Sequence, residues 1–141
     1  MVALITIACA TGGPTVGADD VAGVAGRVSV SPLRVALDLS RSTAAAGSKL
    51  LARATVWNDA GVVIRGIRVD LRVDPVGLVI RRPIVRLVKA IDPLSARSVT
   101  WSLCGTQPGG YVVLAQVTFG GTTIESRART VTVGGDRRTR C

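Results

Sequence analysis

Apolar and polar residues alternate along much of the chain from residue 27 onward. The clearest stretch is 67–74, where four aliphatic residues alternate with Arg, Asp, Arg and Asp. Successive side chains of a strand point to opposite faces, so this strict period of two is typical of a half-buried antiparallel strand. The same period recurs around Leu37, Ala54, Trp101 and Val113, and it predicts further strands there.

Turn-forming residues separate the alternating stretches, at 58–61, 75–77, 92–94 and 120–121. Val, Ile and Thr are abundant whereas Glu, Lys, Gln and Met are scarce, which favours strands over helices. The length of 141 residues fits one domain. We therefore predict an all-β fold, a single immunoglobulin-like or fibronectin-like antiparallel β-sandwich of seven or eight strands over residues 27–133.

Residues 78–91 keep the period of two less well. Four basic residues interrupt the aliphatic ones: Arg81, Arg82, Arg86 and Lys89. Because Pro83 cannot donate a ladder hydrogen bond, part of this stretch is expected at a sheet edge or in a loop. There the four side chains would form a basic cluster that binds anionic polymers. Charges on an edge strand also block edge-to-edge aggregation, so both interpretations stay open.

The charge balance favours an anionic partner. Eighteen Lys and Arg against nine Asp and Glu give a net charge of +9 at pH 7. Solvated Arg on an ordinary domain surface is the alternative.

Specific nucleic-acid binding is not predicted, because base stacking needs exposed aromatic residues and only 3% of the chain is aromatic. Trp101 is expected in the core. Trp57 falls on the non-core phase of its strand, either as a platform for sugar stacking or partly buried at a sheet end.

The chain contains no residue set typical of an enzyme or of a metal site. Without His, a Ser-His-Asp or Cys-His arrangement cannot form. None of the three cysteines stands in a zinc-type spacing. Most carboxylates lie at turns or opposite Arg residues. We predict no catalytic residue, no metal site and no cofactor.

Residues 1–18 are expected to be a signal peptide. The apolar run at 2–10 is too short to span a membrane, and 11–18 contains helix breakers followed by small residues, although a basic n-region is missing. Cleavage after Ala18 would be followed by a linker at 19–26. Lipid attachment at Cys9 and a buried N-terminal strand are the alternatives. We expect a protein that is secreted or held at the cell surface, with no transmembrane segment in the mature chain.

Cleavage after Ala18 would remove Cys9 and leave Cys104 and Cys141 as an even pair. An oxidising compartment allows such a pair to form a disulfide. Residues 134–141 are expected to form a flexible basic tail that can reach back to the sandwich. Spacing alone leaves the pairing open.

Several short motifs resemble the bacterial cell-adhesion-related family CARDB and its relative, the NEW-type domain associated with α-galactosidases. The motifs are Ala-Thr-Val-Trp-Asn-Asp-Ala-Gly at 54–61, Asp-Pro-Val-Gly-Leu at 74–78, Val-Thr-Trp at 99–101, Pro-Gly-Gly-Tyr-Val-Val at 108–113 and Ile-Glu-Ser at 124–126. A Pro-Gly turn expected before Val99 is replaced by Asp-Pro-Leu-Ser-Ala at 92–96. The resemblance implies an extracellular, non-catalytic interaction or spacer module, and it transfers no functional residues.

Two functions are compatible with these features. The first is a non-enzymatic, adhesion-type module that binds a protein or a cell-wall polymer, through loops or an edge strand. The second is an accessory carbohydrate-binding module of a secreted glycoside hydrolase system, with Trp57 as its platform.

Overall fold

The computed structural model describes residues 30–75, 77–135 and 141. Ten strands occur among them: β1 Leu33–Leu39, β2 Thr43–Ala45, β3 Lys49–Asn58, β4 Ile64–Asp74, β5 Leu78–Ile80, β6 Val85–Ile91, β7 Ala96–Gly105, β8 Gly109–Phe119, β9 Thr122–Glu125 and β10 Arg129–Gly134. This part of the chain contains no helix that is long and apolar enough to cross a membrane. The predicted signal peptide, the linker and most of the predicted tail lie outside the described residues.

The strands form two sheets. One has four strands in the order β1-β3-β7-β5, and the other has the order β2-β10-β8-β4-β6, with β9 paired to β8. All pairings are antiparallel except that of β2 with β10, which is parallel. Apolar residues of both sheets form one core. The prediction of an all-β sandwich is confirmed.

The apolar residues of the predicted alternating stretches form the core. In β3 the residues at 50, 52, 54 and 56 are buried, and in β4 those at 67, 69 and 71 are buried. Trp101 on β7 is fully buried, as predicted, and its Nε1–H donates to the Ile84 carbonyl oxygen at 2.7 Å. Period-two patterning therefore identifies which face of each long strand packs inward.

The structure has more strands than the seven or eight predicted. The short strand Thr43–Ala45 pairs in parallel with the end of β10. The short β5 pairs with the end of β7. A strand of three residues is too short to show a period of its own, and its pairing depends on a neighbour that is remote in sequence.

One buried amide connects two loops at one end of the sandwich. The Nδ2 group of Asn58 donates to the carbonyl oxygens of Val62 at 2.7 Å, Ile91 at 3.0 Å and Asp92 at 3.1 Å. Its Oδ1 accepts the backbone N–H of Ala60 at 2.9 Å. Because the amide is buried, these bonds hold the β3–β4 loop against the β6–β7 turn.

Candidate functional site

The solvent side of the four-stranded sheet carries short hydroxyl side chains on β7 and larger side chains, among them Leu51 and Arg53, on β3. We call this surface the outer face; its residues are Arg34, Ala36, Asp38, Lys49, Leu51, Arg53, Thr55, Trp57, Ser98, Thr100 and Ser102. The register places Thr55 beside Ser98, with their hydroxyl oxygens 3.0 Å apart. A shallow groove of about 500 Å³ crosses the face beside Leu51 and Arg53. The face is largely polar.

Trp57 lies at one end of the outer face, and Arg34 covers its ring. The Arg34 Cζ atom is 5.2 Å from the ring centroid, a distance typical of a cation–π contact. The same guanidinium binds Asp59 through two hydrogen bonds, one from Nε to Oδ2 and one from Nη2 to Oδ1 at 3.1 Å. Trp57 is partly buried. One face of the predicted platform is therefore already in contact with a cation.

The Arg34–Asp59 pair sets the ionisation of its carboxylate. The pKa of Asp59 lies below its ordinary value because the Arg34 side chain donates hydrogen bonds to it. Desolvation opposes this shift, and the charge attraction of Arg34 adds to it. A carboxylate with a lowered folded-state pKa stabilises the fold above its unfolded-state pKa. That contribution is lost as the pH falls through the folded-state value.

We expect Arg34→Met to raise the pKa of Asp59 toward its ordinary value of 3.8. The substitution removes both the donor and the positive charge. An NMR titration of the Asp59 carboxyl carbon measures the change. Arg53→Met is the control, because Arg53 lies on the same face but donates no hydrogen bond to Asp59 among the described contacts. An equal rise in the control would show that the general field, not the pair, holds the pKa down.

Arg81 and Arg82 lie in the crossover between β5 and β6, where the chain passes from one sheet to the other. The Arg81 backbone N–H donates to the Ser102 carbonyl oxygen at 2.9 Å. Its Nη2 donates to the Cys141 carbonyl oxygen at 3.3 Å. Both arginines are exposed. They lie at the end of the outer face opposite Trp57.

Arg86 and Lys89 do not lie on the same surface as Arg81 and Arg82. Arg86 pairs with the buried Val69, and its Nη2 reaches across to the Thr100 carbonyl oxygen of the other sheet at 3.1 Å. Lys89 is exposed on the opposite side of β6. Alternation along a strand places residues three apart on opposite faces, and Arg86 and Lys89 are three apart in β6. The predicted four-residue cluster is thus divided, and the parity of β6 is the signal that sequence reasoning overlooked.

The structure pairs Cys104 of β7 with Cys141. Their Cα atoms are 6.0 Å apart, within the range of disulfides. Cys104 is fully buried, and its partner carries the carbonyl group that Arg81 contacts. The pair therefore adjoins the Arg81 end of the outer face. No group of three or more His, Cys, Asp or Glu side chains suited to a metal ion occurs in the part of the chain that the structure describes.

No protein-family model matches this sequence, and no curated protein is significantly similar to it. Several solved structures are similar in fold. The CARDB domain of the PF1109 protein from Pyrococcus furiosus, crystallised in complex with di-metal ions, is 18% identical; the match covers 72% of this chain and 91% of that domain, with a TM-score of 0.54. Its solution structure gives 16% identity, coverage of 74% and 97%, and a TM-score of 0.50.

A cupredoxin domain gives the same TM-score as the CARDB crystal structure. The cupredoxin domain of amoB from Nitrosocaldus yellowstonii is 9% identical, with coverage of 76% of this chain and 90% of that domain and a TM-score of 0.54. At such identities the likeness concerns the fold alone. The resemblance drawn from the short motifs is confirmed at that level, and this chain has a CARDB-like β-sandwich fold.

Proposed function

We propose that this chain is a non-enzymatic interaction module, exported or held at a bacterial cell surface, that binds a protein or a cell-wall polymer on the outer face. The observation that carries the proposal is the group of hydroxyl side chains at Thr55, Ser98 and Thr100, beside the exposed Arg53. Side chains of this size let an extended partner approach the sheet, and their hydroxyl groups offer both donors and acceptors. The CARDB-like fold supports a module of this kind.

The charge of the outer face favours an anionic partner. Asp59 is engaged by Arg34, and Asp38 lies 3.6 Å from Arg129. Paired carboxylates contribute little negative potential beyond their own surroundings. Lys49, Arg53 and Arg81 are exposed along the same face, and their positive charges set its sign.

Salt-dependent binding of a polyanion tests the proposal. We expect full-length protein to bind heparin and teichoic acid, with an affinity that falls steeply as ionic strength rises. The double variant Arg53→Ala/Arg81→Ala should bind more weakly and with a smaller salt slope, because two charges leave the outer face. Isothermal titration at several salt concentrations measures both quantities.

A double variant on the other sheet provides the control. Arg68→Ala/Arg72→Ala removes the same charge from the solvent side of the six-stranded sheet. It should reduce binding less than the outer-face variant does. Equal losses in both variants would mean that only net charge matters, and unchanged binding in the outer-face variant would refute the proposed surface.

A carbohydrate-binding module is the second candidate, and the position of Trp57 on the same face as these hydroxyl side chains favours it. Its ring has one face against Arg34, which leaves the other face as the one that a sugar could approach. This candidate requires neutral glycans to bind to the wild type and to be lost in Trp57→Ala on a glycan array. Retention of that binding in Arg53→Ala/Arg81→Ala would separate it from the charge-driven proposal.

A further inference from the structure

Three aliphatic side chains project from the end of the sandwich where Asn58 joins two loops. Val62 and Val63 of the β3–β4 loop are 66% and 39% exposed, and Leu94 of the β6–β7 turn is 80% exposed. We call these three residues the tip. Single exposed aliphatic residues are ordinary, but these three lie on two loops that the Asn58 amide holds together, so one end of the sandwich presents three apolar side chains to water.

The tip is held in place. The Asn58 amide donates to the carbonyl groups of Val62 and Asp92, so both loops share one buried anchor. The Asn58 backbone N–H also donates to the Ser95 carbonyl oxygen at 2.9 Å. Leu94 has a φ of +54°, a left-handed conformation that is unfavourable for a residue of this size. A strained residue that presents an apolar side chain to solvent points to a function for that exposure.

The size and shape of the tip fit a lipid surface better than a protein. A stable protein interface buries roughly 800 Å² on each partner, which is far more than three aliphatic side chains provide. Exposed side chains on loops can enter a deformable bilayer without a matching pocket. Arg65 and Arg97, both exposed, follow the two loops. Of the two acidic residues in these loops, Asp59 is paired with Arg34 and Asp92 is exposed, so the surroundings of the tip carry a net positive charge. Cations beside an apolar insertion favour membranes with anionic head groups.

We propose that the tip inserts Val62, Val63 and Leu94 into the surface of an anionic membrane, with Arg65 and Arg97 against the head groups. Insertion is reversible, because a small apolar area combined with a few charges supports only moderate membrane affinity. The tip lies at a sheet end, not on the outer face. A membrane contact there leaves the outer face free for a polymer or a protein.

Vesicle sedimentation of the full-length protein tests the proposal. We expect the wild type to sediment with vesicles of phosphatidylcholine and phosphatidylglycerol. The double variant Val62→Ser/Leu94→Asn should partition at least about tenfold more weakly, since it removes most of the apolar surface of the tip. Asn tolerates the left-handed conformation at position 94, so the variant should keep its fold.

Leu87→Asn/Val112→Ser is the matched control. Leu87 is 77% exposed, close to the value for Leu94, but it lies on the solvent side of the six-stranded sheet, as does Val112. This variant should partition within about twofold of the wild type. The proposal is overturned if the wild type stays in the supernatant, if the tip variant sediments like the wild type, or if the control loses as much binding as the tip variant.

Hydrogen exchange locates the contact, because residues 2–10 are also apolar and could bind lipid themselves. We expect vesicles to slow amide exchange in peptides that cover 59–64 and 92–95. Slowing confined to residues 1–18 would overturn the proposal even if the protein sediments.

Discussion

Trp101→Ala is expected to lower the free energy of unfolding by about 3–5 kcal/mol, because it deletes the largest fully buried side chain described. Trp101 pairs with Ala52 across the β3–β7 ladder, and the methyl group of Ala52 cannot fill the space that the indole leaves. The substitution also removes the donor to the Ile84 carbonyl oxygen. Equilibrium unfolding in urea, followed by far-ultraviolet circular dichroism, measures the change without relying on the fluorescence of the deleted residue.

Two further variants separate the causes. Trp101→Phe keeps much of the volume but leaves the Ile84 carbonyl oxygen without its indole donor, and should cost about 1–3 kcal/mol. Trp57→Ala removes a Trp that is only partly buried and should cost less than Trp101→Ala. Similar losses for Trp57→Ala and Trp101→Ala would contradict the placement of Trp101 at the centre of the core.

The prediction of Trp101 as a core residue succeeded because strand periodicity is a local signal. Val99, Trp101 and Leu103 alternate with polar residues, and a half-buried strand places such a series on one face whatever its neighbours are. The same reasoning identified the buried residues of β3 and β4. Long strands reveal their inward faces from sequence alone, although not the order in which they pair.

The pairing order is what sequence reasoning could not supply. Trp57 was a candidate from its phase in β3, but its contact with Arg34 exists only because β1 and β3 are adjacent with Arg34 opposite Trp57. Nothing local indicates that register. Likewise, the sequence predicts Leu94 in a turn, but its position at the same end of the sandwich as Val62 follows from the Asn58 hydrogen bonds, which join two loops that are distant in sequence.

The four basic residues predicted as a cluster are separated in space, although their binding role stays a prediction. The edge position expected for part of residues 78–91 is confirmed, since β5 and β6 are both edge strands. Residues close in sequence are separated in space here because the chain passes from one sheet to the other at Arg81 and Arg82. Arg86 turns inward to Thr100 because its strand parity is that of Val88, not that of Lys89. A strict alternation applied to β6 would have predicted this.

Loss of the Cys104–Cys141 pairing is expected to destabilise the fold about as much as loss of the central Trp. The two residues are separated by 37 positions, and closing a loop of that length in the unfolded chain corresponds to roughly 3–4 kcal/mol in the chain-entropy treatment. Cys141→Ser should therefore lower the free energy of unfolding by about that amount. Cys141 is the better position to change, because Ser at the fully buried Cys104 would add an unsatisfied hydroxyl group.

Unfolding with and without a reducing agent shows whether the disulfide causes this difference in stability. In an oxidising buffer the wild type should be more stable than Cys141→Ser, whereas in dithiothreitol the two should unfold at the same urea concentration, because only the wild type has a bond to lose. Cys9→Ser is the control and should match the wild type in both buffers. Alkylation of denatured, unreduced protein gives the independent readout. If both Cys104 and Cys141 of the unreduced wild type are alkylated, the disulfide does not form. In that case the wild type and Cys141→Ser should have the same stability in the oxidising buffer as well.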